Sequence, residues 1–179
     1  MNEKVLVTYS TRTGSTKGVA ESIGTTLSGL GEVVDVAPME EITDLSHYSA
    51  VVAGSAIQAG KWLPEAISFI ESHQPELKNK HFAAFLVCMT LAMPKGKSYR
   101  DTVSSWLQPV RDIVTPVSEG LFAGTMDIKK ISSFSDRIKF RISIMAGVWK
   151  EGDHRDWDSI EKWTKDLKML LDGADKAKS

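Results

Sequence analysis

Val5-Leu6-Val7-Thr8-Tyr9-Ser10-Thr11-Arg12-Thr13-Gly14-Ser15-Thr16 stands near the head of the chain, and the rest of the sequence is best read from it. Lys4 to Tyr9 is apolar almost throughout, which predicts a strand buried on both faces. It stops at Ser10–Thr16, a loop of hydroxyls and small residues. A helical pattern begins at once, with Val19, Ala20, Ile23 and Leu27 on one face between Gly14 and Leu30. A loop opening onto a helix gathers hydroxyls and unpaired backbone N–H groups at the positive end of the helix dipole. A phosphate dianion fits such a place.

Working outward, strands are expected at Glu32–Ala37, Tyr48–Ser55, His81–Cys88 and Val117–Ala123. Helices are expected at Leu63–Ser72, with Pro64 in its first turn where a missing N–H costs nothing, and at Ser98–Ile113. The latter turns Val103, Trp106, Leu107 and Val110 inward, with Ser98-x-x-Asp101 as its capping signal. A last helix, Asp158–Leu171, carries Ile160, Trp163, Leu167 and Leu170 on one side. Alternating helices and continuously apolar strands predict an α/β fold, a parallel sheet covered on both faces. Five such units fit a doubly wound sheet of order 2-1-3-4-5. Ligands in such sheets sit beside the first strand, at the carboxyl ends, where Ser10–Thr16, Ser55–Trp62 and Met89–Lys97 converge. One domain over 1–172 is expected, followed by a frayed polar tail, 173–179.

Composition narrows the function classes. The 179 residues carry a net charge of −1, which gives no electrostatic case for nucleic acid. The one cysteine, Cys88, excludes an internal disulfide framework and leads to the expectation of a reducing, cytoplasmic setting. Met1-Asn2-Glu3-Lys4 has no secretion-signal character, and no apolar stretch is long enough to span a bilayer. His47, His73, His81 and His154 show no ligand spacing, so no metal is expected. His154 is either a proton handler over the site or, the simpler reading, an exposed loop residue. No serine or cysteine has a hydrolase context, and Cys88 reads as a buried structural thiol.

Among phosphate loops, the triphosphate type requires G-x-x-x-x-G-K-[ST], and Gly14-Ser15-Thr16-Lys17-Gly18 has the wrong order. The dinucleotide type requires G-x-G-x-x-G, which is also missing. Hydroxyl donors without an obligatory cation suit one terminal phosphate held by neutral hydrogen bonds. The bland alternative is a serine- and threonine-rich helix cap. Tyr9 to Thr16 resembles the FMN phosphate loop of the flavodoxin-like family, with the aromatic, Thr11, Gly14 and Thr16 in register and the element order similar along the chain. The resemblance implies a flavodoxin-like three-layer sandwich and FMN as cofactor. It places Ser10, Thr11, Thr13, Gly14, Ser15 and Thr16 around the phosphate, with Arg12 adding charge or lying in solvent.

The second loop, Gly54-Ser55-Ala56-Ile57-Gln58-Ala59-Gly60-Lys61-Trp62, has small residues that let backbone approach a flat ring. Ala56, Ile57, Gln58, Ala59, Gly60, Lys61 and Trp62 are therefore candidate flavin contacts, with Trp62 read either as a stacking ring or as a packing anchor. The third loop supplies Met89, Thr90, Leu91, Ala92 and Met93. Many electron-carrier flavodoxins place an aromatic here. This chain has none between Cys88 and Ser98, which leaves the flavin face open or covered by aliphatic and thioether groups.

Asp127–Asp156 is too long for an ordinary connection. Ile131, Phe134, Ile138, Ile142, Met145 and Trp149 fall near helical spacing, flanked by Lys129, Lys130, Arg137, Lys139 and Arg141. Such a helical insert before the last helix is a candidate lid, partner surface or membrane surface, against the plain alternative of an extra helix packed on the core. The Gly54–Pro64 loop, the insert and Asp156-Trp157 together resemble the flavodoxin-type, menaquinone-dependent protoporphyrinogen oxidase family. That resemblance implies an FMN-dependent oxidoreductase passing electrons from a porphyrinogen-type substrate to a quinone. The rival expectations are a flavodoxin-type electron carrier between redox proteins and a non-enzymatic flavin-binding interaction module. No residue reads as an obligatory catalytic acid or base. The expected partners are a redox protein or quinone and a small-molecule substrate. A peripheral membrane contact through the insert and a homodimer are open expectations.

Overall fold

The computed structural model describes residues 4–131, 133–148 and 150–176. The expectations placed on Met1 to Glu3, on Trp149 and on the last three residues of the tail lie outside these. A central parallel sheet is built from β1 (Lys4–Ser10), β2 (Val34–Pro38), β3 (Tyr48–Gln58), β5 (His81–Cys88) and β6 (Ser118–Ala123), in the spatial order β2-β1-β3-β5-β6. This is the expected doubly wound arrangement. The short β4 (Lys61–Trp62) folds back antiparallel on β3.

Both sheet faces are buried, as the continuous apolar strands required. Along β1, Val5 and Val7 join Val19, Ala20, Ile23 and Leu27 of α1 (Ser15–Gly29) and Ile160, Leu167 and Leu171 of α7 (Trp157–Lys176). Leu6, between them, points to the other layer with Ala66, Phe69 and Ile70 of α2 (Pro64–Ser72). That layer also holds α3 (Gln74–Leu77), α4 (Arg100–Ser105) and α5 (Gln108–Ile113), through Leu77, Val103 and Val110. Gly54 lies in register with Phe85 on β5, and a Cβ there would stand 2.0 Å from the ring of Phe85. The ring occupies the space that the missing side chain leaves.

Five expectations are corrected. Ser98–Ile113 is not one helix: a 3₁₀ turn at Gly96–Tyr99 leads into α4, and the chain breaks before α5. Pro109 cannot donate to the carbonyl of Ser105 and its ring crowds that turn, so the axis restarts. Ser98 does not cap; its hydroxyl donates to the Lys95 carbonyl at 2.7 Å. Trp106 is only half-buried, whereas Val103, Leu107 and Val110 are buried as expected. On the last helix the inward leucine is Leu171, 5% exposed, while Leu170 is 50% exposed. That helix continues through Lys176, past the expected end.

The insert is a closed excursion. Its two ends pair as β7 (Thr125–Met126) and β8 (Gly152–Asp153), with Thr125 opposite Asp153 and Met126 opposite Gly152. Between them stands α6 (Phe134–Met145). Both of its ends are encoded locally. The Ser133 hydroxyl accepts the Asp136 N–H at 3.3 Å, an N-cap bond. At the other end Gly147 has φ +73°, its N–H reaches the Ile144 carbonyl, and the Val148 N–H reaches Ser143, each at 2.9 Å. This is the glycine-terminated stop that satisfies otherwise orphaned carbonyls.

Candidate functional site

Parallel register brings the ends of four strands together. Ser10 lies beside Ser55, Ala56 beside Val87, and Cys88 beside Ala123. The loops that leave these residues enclose a cleft of about 270 Å³ at the carboxyl edge of the sheet.

Its floor is the loop after β1. Gly14 takes φ +86°, in the left-handed region that glycine reaches without strain. Nothing would meet a Cβ there, so conformation, not space, requires glycine. Its N–H donates to Thr11 Oγ1 at 3.1 Å, which holds the loop closed. Among the described residues no side chain caps α1 and no acidic residue stands in its first turn, the arrangement in which a helix's leading amides are open to an anion. Thr16 is fully buried, lines the cleft, and its Oγ1 has no hydrogen-bond partner among the described residues. A buried hydroxyl left unpaired costs free energy until a ligand meets it. Ser15 Oγ accepts the Thr125 N–H at 2.9 Å, which ties the segment after β6 to the loop.

Arg12 lines the cleft but is not a free cation. Its guanidinium forks onto Glu65 at the start of α2, with Nη2 to Oε2 at 3.1 Å. That pairing holds the Glu65 carboxyl below its usual range and pushes Arg12 further up. The loop therefore presents neutral donors, as its composition suggested.

The second loop is more ordered than expected. β3 runs on to Gln58 and turns back at Ala59-Gly60, with φ +51° and +73°. Ala56, Ile57 and Gln58 line the cleft, while Ala59, Gly60, Lys61 and Trp62 do not. Trp62 is 4% exposed within the core, so its packing reading holds. In the third loop Met89 lines the cleft beside Val87 and Cys88. Thr90, Leu91, Ala92 and Met93 form a 3₁₀ turn and its exit and lie outside the wall. Cys88 is buried, and burial pushes its thiol up. That is an inert thiol.

The remaining wall comes from residues that the sequence did not assign to the site, among them Ile131, which was expected on the face of the insert helix but lies before α6. Gly124, Thr125, Met126 and Asp127 follow β6, and Lys130, Ile131, Ser133, Asp136 and Phe140 come from the insert. Gly124 leaves no spare room: a Cβ would stand 3.0 Å from Ser15 Oγ and 3.1 Å from Val87. The signal for Phe140 was its place on the helix face opposite Phe134 and Ile138. Ser10 is buried under the loop, and Gly14 opens onto a neighbouring polar hollow with Arg155 and Asp153. His154 does not line the cleft; its Nε2 meets the Lys150 carbonyl at 2.8 Å. No cluster of three or more metal-ligating side chains exists among the described residues.

Comparison with known proteins places this geometry. The flavodoxin domain family matches residues 6–155. Protoporphyrinogen IX dehydrogenase [quinone] of Escherichia coli is 23% identical over 176 residues, covering 94% of this chain and 97% of that protein. A short-chain flavodoxin associated with a bacterial microcompartment superposes with a TM-score of 0.59 at 14% identity, over 96% of this chain and 99% of that one. The flavodoxin of Streptococcus pneumonia gives 0.57 at 15% identity, over 93% and 98%. The orphaned Thr16 hydroxyl, the uncapped helix and the hydroxyl-rich loop fit the phosphate of flavin mononucleotide. This chain belongs to the flavodoxin domain family, and FMN is its cofactor.

Proposed function

We propose that the protein is an FMN-dependent oxidoreductase that takes hydrogen from a reduced, porphyrinogen-type substrate and delivers electrons to a quinone. The observation that carries this reading is that the insert walls the same cleft as the phosphate loop: Ile131, Asp136 and Phe140 face Thr11, Ala56 and Met89 across one hollow. The likeness to the Escherichia coli dehydrogenase over nearly the full length of both chains supports it.

Bound FMN supplies two-electron and one-electron redox chemistry. The chain's residues do the rest. Thr11, Thr13, Ser15 and Thr16, with the leading amides of α1, would anchor the phosphate. Ala56, Ile57 and Gln58 on one side and Met89 on the other would set the ring. No aromatic shields that side between Cys88 and Ser98, so a flat substrate has access to it. Ile131 and Phe140, both half-buried, would exclude water from above, and Lys130, loosely paired with Asp127 at 3.9 Å, would offer a cation to an acidic substrate.

The test is anaerobic reductive titration of the FMN-loaded protein, followed by an assay with protoporphyrinogen and menadione. Reduction in a single two-electron step with porphyrinogen oxidation supports the reading. A stable one-electron plateau without quinone turnover would favour the carrier instead.

A further inference from the structure

Helix α6 has two apolar faces, and the cleft uses one. Asp136 and Phe140 line the cleft, and Ile144 on the same side is half-buried. The opposite side carries Phe134, Ile138, Ile142 and Met145, exposed by 75%, 45%, 61% and 89%. At 100° per residue these four fall within roughly one quarter of the helix circumference. A contiguous stripe of this kind calls for a partner.

The surrounding charge says which one. Between 127 and 151 there are six basic and three acidic residues, a net +3 on a chain of net −1. Arg141 flanks the stripe directly and, with Lys150, makes no ion pair among the described residues. The acidic Asp136 is turned to the cleft, not to the stripe. No helix among the described residues is long and apolar enough to cross a membrane. An apolar face bordered by cations on a short helix is the pattern of a helix lying in the interfacial plane of an anionic bilayer.

We infer that α6 docks the protein on anionic lipid, with Phe134, Ile138, Ile142 and Met145 among the acyl chains and Arg141 and Lys150 at the headgroups. This deepens the proposed function, on which its purpose, though not its evidence, rests. The same helix would then lie on lipid with one face and wall the cleft with the other, within one helix diameter, about 10 Å, of where a membrane-dissolved quinone resides.

Cosedimentation of the FMN-loaded full chain with vesicles provides the test. The probes are equal parts phosphatidylglycerol and phosphatidylcholine, and phosphatidylcholine alone. Binding to the anionic vesicles at low salt is expected, with a marked loss on neutral vesicles and at high salt. Ile142→Glu with Met145→Glu should weaken the partition at least about tenfold, the factor that goes with one lost large apolar contact, while FMN retention shows that the fold is intact. Arg141→Gln should lower only the salt-sensitive part. Wild-type protein that stays in the supernatant, or a double variant that binds equally well, overturns the inference. So does sedimentation velocity showing a dimer that the double variant abolishes, since a second copy would then cover the stripe. Menadione turnover without vesicles tests the oxidoreductase reading separately: losing it leaves the lipid result standing, and the reverse holds.

Discussion

Thr16→Val separates the cofactor site from ordinary helix capping, because it moves two quantities in opposite directions. Valine keeps the β-branched shape and removes the hydroxyl that is buried without a partner. In the apoprotein that hydroxyl carries a desolvation penalty of about 1–3 kcal/mol with nothing to offset it. Removing it should raise apoprotein stability by part of that amount. For a chain of this size each kcal/mol moves the Tm by about 2–4 °C. With FMN held as proposed, the same hydroxyl would donate to a charged phosphate, a bond worth about 1.5–3 kcal/mol. Its loss should weaken FMN binding by about 10- to 150-fold. Fluorescence titration of apoprotein gives the affinity, and calorimetry with and without FMN gives both stabilities. At a fixed FMN excess the ligand-induced gain in Tm should shrink in step with the affinity. An apoprotein Tm that falls, together with an FMN Kd within twofold of wild type, would refute the assignment, since the hydroxyl would then already have a partner inside the protein.

Three other perturbations report on separate parts of the structure. Glu65→Gln should release Arg12 to the phosphate and tighten FMN binding a few-fold at low salt, an effect that fades in high salt. Because Arg12 holds the Glu65 carboxyl low, the ion pair contributes above the unfolded carboxylate's range and is lost as pH falls through the folded value. With the two side chains 50% and 42% exposed, that contribution is under about 1 kcal/mol, so urea unfolding of wild type and variant should converge at low pH. Gly54→Ala forces a methyl against the buried ring of Phe85 and should cost about 1–3 kcal/mol or more. Adding Phe85→Leu should recover part of that, and a double-mutant cycle showing no coupling counts against the contact. Leu171→Ala should cost about 2–5 kcal/mol and Leu170→Ala within about 0.5 kcal/mol; equal losses on chemical denaturation would contradict the observed orientation of α7.

The sequence was most legible where a physical period repeats. His81–Cys88 has the observed limits because the seven apolar residues that follow His81 leave no other placement. Val19, Ala20, Ile23 and Leu27 are all fully buried, since helical spacing alone decides which side of α1 they share. The turn after β1 was equally legible as a turn, because Thr11 and Gly14 bond to each other three residues apart. Legibility failed where two weak signals compete. In the last helix Leu170 and Leu171 differ by 100° of rotation, and only the packing of α7 on the sheet chooses between them. Around Ser98–Ile113 the apolar spacing favoured one helix, and the backbone demand of Pro109 overrode it. The loop after β3 looked irregular in its small residues, yet the sheet extended it to Gln58 and sent Trp62 into the core.

By itself the chain determined its layer architecture, its strand count in the parallel sheet and, through its family resemblance, its cofactor. The first two rest on local backbone preference and hydrophobic period, which neighbouring residues carry between them. Which of the candidate residues share one cleft was a tertiary matter. Ile57 and Gln58 line it and Trp62 does not, and Phe140 faces it while Ile142 faces solvent. Such choices depend on strand register and on how the insert closes through β7 and β8, contacts between residues that lie far apart along the chain.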